Sequence, residues 1–205
     1  MDTGSGLRTA FSPRLYFLHP LVAGPLPNWS AQFARIAAMG FDHVLLPPIF
    51  ETSPGGRLSL VANFDRPHAA LAAGNDAVAA LRNICQSAGK AGLRIVLDLV
   101  LDRCAAGGVY AQQHRNWLDG AGADALDPRV DPQWRGGVGM RLDEPAVVVE
   151  MQHFWGERIA RWVDAGVAGF CVQWPQRLPR QLIGALMHEV PGCRFIAGAQ
   201  GMDWA

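Results

Sequence analysis

The chain has 205 residues, half of them apolar, and its 18 basic residues balance 18 acidic ones. The apolar share excludes a disordered chain, the missing basic excess excludes a nucleic-acid role, and no apolar run approaches the roughly 18 residues of a membrane span. Met1–Ala10 lacks the apolar core of a secretory signal, and Cys85, Cys104, Cys171 and Cys193 lie far apart without metal-ligand spacing, so a reduced, cytoplasmic chain is expected.

Residues 1–11 read as a flexible N-terminus and 12–205 as a single domain. Arg14–His19 is a short apolar run between prolines and suits a first strand. A helix is expected over Trp29–Met39, capped by Asn28, stopped by Gly40 and buried along Trp29, Phe33, Ile36 and Ala37. His43–Pro47 reads as a second strand, and Glu51–Gly74, rich in Gly, Pro, Ser and Asn, as irregular. Asn75 is the expected cap of a helix whose apolar face is Val78, Leu81, Ile84, Cys85 and Ala88, ended by Gly92. Leu93–Leu101 is the most strand-like segment, and Asp102–Asp143 a second irregular region.

Pro145 suits the first turn of a long helix to Ala165, with Val148, Met151, Trp155, Ile159, Trp162 and Val163 along one stripe. Gly166 ends it, and Val167–Val172 follows as a fourth strand. Pro179 opens a helix through Leu182, Leu186 and His188, and Arg194–Ala197 is a fifth strand. Apolar strands alternating with amphipathic helices imply parallel strands buried on both faces, either a doubly wound open sheet or a (β/α) barrel. No glycine-rich phosphate turn follows any strand, which argues against nucleotide binding.

Gly40-Phe-Asp-His-Val-Leu-Leu-Pro-Pro-Ile49 resembles the second-strand signature of the α-amylase superfamily, glycoside hydrolase family thirteen. Further stretches match in order: Gly74-Asn-Asp76 at a helix start, Ala91-Gly-Leu-Arg-Ile-Val-Leu-Asp98 as the third strand, Ala165-Gly-Val-Ala-Gly-Phe170 before the fourth, and Cys193-Arg-Phe-Ile-Ala197 as the fifth. Pro47-Pro-Ile49 and Phe170-Cys-Val-Gln-Trp-Pro-Gln-Arg-Leu-Pro179 are most like the bacterial maltosyltransferase branch, which extends glucan from maltose 1-phosphate. The resemblance implies an α/β fold of the TIM-barrel type, with five of eight strands present over 12–205 and strand edges for the remainder of a barrel or a second copy to cover.

Retaining glycosidases use two carboxyl groups, one attacking the anomeric carbon and the other protonating the leaving oxygen. The resemblance places the nucleophile at Gln173, the arginine that keeps it ionised at Cys171, and the acid/base at Gly198, or at Ala199 with a one-residue slip. An amide cannot act as a carboxylate nucleophile, and glycine has no proton to give. The three changes are also mutually consistent, because an arginine retained beside an amide would be a buried charge without its partner.

The family's asparagine–histidine pair after Asp98 is Asp102 and Arg103 here. Asp98 reads as a remnant of the active-site rim or as a cap on loop amides, and Asp102 with Arg103 as sugar contacts or a weakly stabilising local ion pair. Trp174 reads as a ring stacking on sugar at the mouth or as packing under a loop; Trp117, Trp134 and Trp204 as a glycan platform or as loop anchors. The six histidines (His19, His43, His68, His114, His153, His188) form no metal motif, Cys171 has no activating neighbour, and neither metal nor cofactor is expected.

The expected function is a non-catalytic amylase- or maltosyltransferase-like domain in α-glucan metabolism, acting as scaffold, regulator or holder of an α-glucan or malto-oligosaccharide. The alternatives are an active hydrolase or maltosyltransferase with relocated acids, such as Asp98 and Asp102, and a pure glycan-binding module. Neither nucleic acid nor membrane is an expected partner.

Overall fold

The computed structural model of the chain describes residues 13–120, 131 and 134–198; the expected flexible segment 1–11, Ala199 and Trp204 lie outside them. In chain order the elements are β1 (Leu15–Phe17), α1 (Pro20–Ala23), α2 (Trp29–Ala38), β2 (His43–Leu46), β3 (Phe50–Thr52), β4 (Val61–Pro67), α3 (Ala77–Lys90) and β5 (Arg94–Leu99). They continue with β6 (Arg103–Ala105), α4 (Val109–Gln113), β7 (Gly137–Gly139), α5 (Pro145–Asp164), β8 (Val167–Val172), α6 (Arg180–Glu189) and β9 (Arg194–Ala197).

The main sheet has five strands in the order β1-β2-β5-β8-β9, and every adjacent pair is parallel. The order follows the chain without a reversal. A doubly wound sheet needs such a reversal, so the topology is that of a (β/α) barrel arc. Right-handed crossovers then place the connecting helices on one face. The burial alternation in β5 agrees: Ile95, Leu97 and Leu99 join the helix-side core, whereas Val96, Asp98 and Val100 are buried outside it.

The helices form where their apolar spacing can be buried. In α5, Val148, Met151, Trp155, Ile159 and Trp162 are inside, and Pro145 occupies the first turn, where its missing N–H costs nothing. Gly166 closes α5 with φ of 111°, and a Cβ there would also meet the Cβ of Cys85 at 2.8 Å. In α2, Trp29, Phe33 and Ile36 are buried, but Asn28 makes no side-chain cap because a 3₁₀ turn over Leu26–Asn28 leads into the helix. The cap of α3 is Asp76, not Asn75; its Oδ1 accepts from Val78 and Ala79 N–H at 2.8 and 3.0 Å.

Both stretches expected to be irregular contribute an antiparallel strand pair. β3 pairs antiparallel with β4 through an irregular register, and β6 pairs antiparallel with β7. Their aromatic residues bind these excursions to α5: Phe50 stacks on Trp162 at 4.9 Å, and Phe64 meets the edges of Trp155 and Tyr110 at 4.9 and 5.0 Å.

Candidate functional site

In a parallel α/β arc, side chains at the C-terminal ends of the strands face the loops that follow, and ligand sites gather there. A cleft of about 390 Å³ opens at that end. Its polar lining includes His19, Arg57, Asp98, Arg103 and Gln173, and its apolar wall includes Phe17, Leu21, Leu58 and Trp174.

Asp98 and Cys171 are register partners on β5 and β8, which places both on the face opposite the helices. The Gln173 N–H continues the ladder to Leu99 O at 3.0 Å, and Gly198 N–H reaches Val172 O at 2.8 Å. Cys171, Gln173 and Gly198 therefore stand together at the ends of two neighbouring strands. The Gln173 amide lies within 4.0 Å of Cys171 Sγ, and a Cβ at 198 would come within 3.2 Å of Gln173 Oε1. The glycine thus gives the amide room.

Asp98 is only 8% exposed, and its Oδ1 is fully buried without a hydrogen-bond partner, so it does not cap loop amides. Burial pushes its carboxyl up to about 6, while Gln173 and Cys171 oppose that shift from close by without bonding Oδ1. The same burial, reinforced by Asp98, pushes the Cys171 thiol up to about 12, which leaves it an inert thiol.

Asp102 and Arg103 form an ion pair, but a buried one: they are 4% and 3% exposed, and Arg103 Nε and Nη2 donate to the two carboxylate oxygens at 3.0 and 2.8 Å. The weak, solvent-screened pair expected from neighbouring charges is thereby corrected. Two indoles cover it, Trp134 at 4.1 Å and Trp174 at 5.6 Å from the guanidinium carbon.

Trp174 turns out of β8 at φ 51° and ψ 52°, a left-handed conformation that costs a non-glycine residue roughly 1–2 kcal/mol. Trp117 belongs elsewhere; its indole is buried and donates to Glu150 at 2.6 Å, so it anchors a loop.

Arg177 was not singled out by sequence. It reaches Asp102 at 3.6 Å and lies 5.0 and 5.2 Å from the rings of Trp174 and Trp134. Its place three residues past a strand-end tryptophan is a weak signal. Pro47, directly after β2, and His19, two residues past β1, could have been found from their strand-end positions alone.

The sequence is 34% identical over 202 residues to the α-1,4-glucan:maltose-1-phosphate maltosyltransferase of Burkholderia pseudomallei, covering 96% of this chain and 18% of that protein. It is 31% identical over 204 residues to the same enzyme of Bifidobacterium longum, covering 87% of this chain and 26% of that one. The chain thus spans about a fifth to a quarter of the length of these curated relatives. No family model matches it.

Among solved structures, an α-amylase from Lactobacillus plantarum superposes with a TM-score of 0.72 at 18% identity, covering 90% of this chain and 44% of that one. A maltogenic α-amylase from Thermotoga neapolitana gives 0.68 at 16% identity, covering 89% and 44%. The chain is thus related in sequence to part of the maltosyltransferases, and its described residues share with the α-amylases the fold of a (β/α) barrel arc of five parallel strands.

Proposed function

We propose that the chain serves α-glucan metabolism without carrying out catalysis, as a barrel segment that holds an α-glucan or malto-oligosaccharide at its strand-end cleft and supports an active neighbour. The remainder of a barrel, or a second copy, covers its open strand edges. The single observation behind this reading is that Gln173 and Gly198, neither of which carries a carboxyl group, stand at the strand ends where the resemblance assigns nucleophile and acid/base. Asp98 is the one carboxyl among the described residues lining the cleft, and retaining chemistry needs two at about 5–5.5 Å. An apolar wall beside polar groups suits the two-sided surface of a pyranose, and four free cysteines favour the cytoplasm.

The test is turnover of maltose 1-phosphate, starch and a fluorogenic maltoside, together with migration in amylose gels. No turnover with retarded migration is expected; an unretarded chain overturns the holding role.

A second reading has one observation in its favour. A carboxyl raised to about 6 suits a general acid, so Asp98 fits an enzyme with relocated acids. Its partner would have to be Asp102, which Arg103 engages through both oxygens. Robust turnover abolished by Asp98→Asn would establish this reading in place of the first.

A further inference from the structure

The flank of the cleft holds more cation than anion. Asp102 is shared by two guanidiniums, Arg103 at 2.8 Å and Arg177 at 3.6 Å, so one carboxylate answers two positive charges there. Aromatic faces meet the surplus. The guanidinium carbon of Arg177 lies 5.0 Å from the ring centre of Trp174 and 5.2 Å from that of Trp134, and Arg103 lies 5.6 and 4.1 Å from the same two rings. Such contacts strengthen where water is excluded, and Asp102 and Arg103 are almost wholly buried.

Trp174 stands there in a conformation that its residue type avoids. It and Ala72 are the two non-glycine residues with positive φ among the described residues. A strained backbone of this kind persists only where its surroundings over-determine it. Before the strained residue, Gln173 N–H donates to Leu99 O at 3.0 Å; after it, Arg177 N–H donates to Trp174 O at 2.9 Å and Leu178 is buried. The backbone thus places the residue, and the Arg177 side chain folds back over its ring.

The other aromatic side chain of the apolar wall is held far less. Phe17, on the edge strand β1, is 53% exposed, and its ring meets that of His19 at 6.4 Å. A ligand ring binds at lower entropy cost to a surface already fixed than to a loose one. Trp174 is the one indole among the described residues lining the cleft, and it is fixed.

We propose that Trp174 is the platform on which a pyranose of the bound α-glucan lies, and that Arg177 is the residue that positions it. The proposal rests on the glucan-holding reading above and names the wall that does the holding. A pyranose carries C–H groups on its flat faces and hydroxyls around its rim. The indole takes a face, and Arg57 and Ser59 in the same lining meet the rim. Arg177 is not among the residues lining the cleft, so it acts through the indole.

The test uses the full chain carrying 5-fluorotryptophan, with maltotriose as the ligand. The Trp174 fluorine signal is identified by its loss in Trp174→Phe. Maltotriose is expected to shift that signal, and calorimetry to show affinity falling about tenfold in Trp174→Ala. Arg177→Gln leaves Asp102 both of its bonds from Arg103. It is expected to move the Trp174 signal of the free chain and to weaken maltotriose binding roughly two- to fivefold at an unchanged unfolding midpoint.

Maltotriose binding that leaves the Trp174 signal unmoved, or that survives intact in Trp174→Ala, overturns the platform while the glucan reading stands. An Arg177→Gln chain that keeps the wild-type Trp174 signal overturns the positioning role, whatever its affinity. Arg177→Met, which keeps an apolar stem, carries the same two outcomes if the glutamine variant does not fold. No maltotriose binding overturns the platform and the glucan reading together.

Discussion

Asp98 and Asp102 lie four residues apart at the same mouth, both under a tenth exposed, yet their surroundings treat the negative charge in opposite ways. On the flank, Arg103 meets Asp102 with two hydrogen bonds beneath two indoles, and Arg177 adds a second cation at 3.6 Å. On the floor, Asp98 faces a thiol and an amide and holds its proton up to about 6. Alike in burial, the two carboxyls differ in the groups that face them: a guanidinium at Asp102, a thiol and an amide at Asp98. An arginine in place of Cys171 would have made the floor resemble the flank.

The contrast is broken most directly at the flank. Arg103→Ala leaves Asp102 buried without its main partner and is expected to cost about 3–5 kcal/mol in denaturant unfolding. A loss below ~1 kcal/mol would mean that Arg177 or water replaces the guanidinium.

At the floor the sign reverses. Burial pushes the Asp98 carboxyl in the folded chain up to about 6, above the usual carboxylate range, so the folded state holds the proton more tightly than the unfolded state does. Stability from this group is full below about pH 4 and falls through about pH 6, by roughly 3 kcal/mol in all. Asp98→Asn, which cannot ionise, is expected to raise the melting temperature at pH 7.5 relative to wild type and to flatten its dependence between pH 4 and 6.5. Unchanged melting at pH 7.5 would count against a strained floor.

A smaller effect tests the crowding beside that floor. Gly198→Ala places a Cβ 3.1 Å from Val172 O and 3.2 Å from Gln173 Oε1. It is expected to cost about 1 kcal/mol, partly recovered by Gln173→Ala in the same chain, as read by chemical denaturation. The smallest effect belongs to the exposed Arg141–Glu144 pair at 2.8 Å. Arg141→Ala there should stay within ~0.5 kcal/mol, and a cost like that of Arg103→Ala would show that burial is not what separates the two pairs.

All five strands of the arc and the four longer helices were legible in the sequence, because each carries a period that only one element satisfies. The two antiparallel strand pairs were not. Phe50–Thr52 has three residues and an irregular register, and Val61–Pro67 exposes Asp65 and Arg66, so neither alternates cleanly. The turn signal Pro54-Gly55-Gly56 was the available clue. At the site, motif order brought Cys171, Gln173 and Gly198 to one mouth, but Arg177 joins Asp102 across 75 residues, a relation no local pattern encodes.

Hydrophobic period and glycine stops, which act within a few residues, determined from sequence alone where this chain becomes strand and helix. Strand-end residue types likewise determined that no carboxyl stands at 173 or 198. Only the tertiary structure decided that the sheet runs as a barrel arc, that Asp102 is paired in the interior, and that Asp98 is buried beside a thiol and an amide. Those outcomes depend on which side chains meet across neighbouring strands and on how much water they displace, and both are settled when distant segments pack.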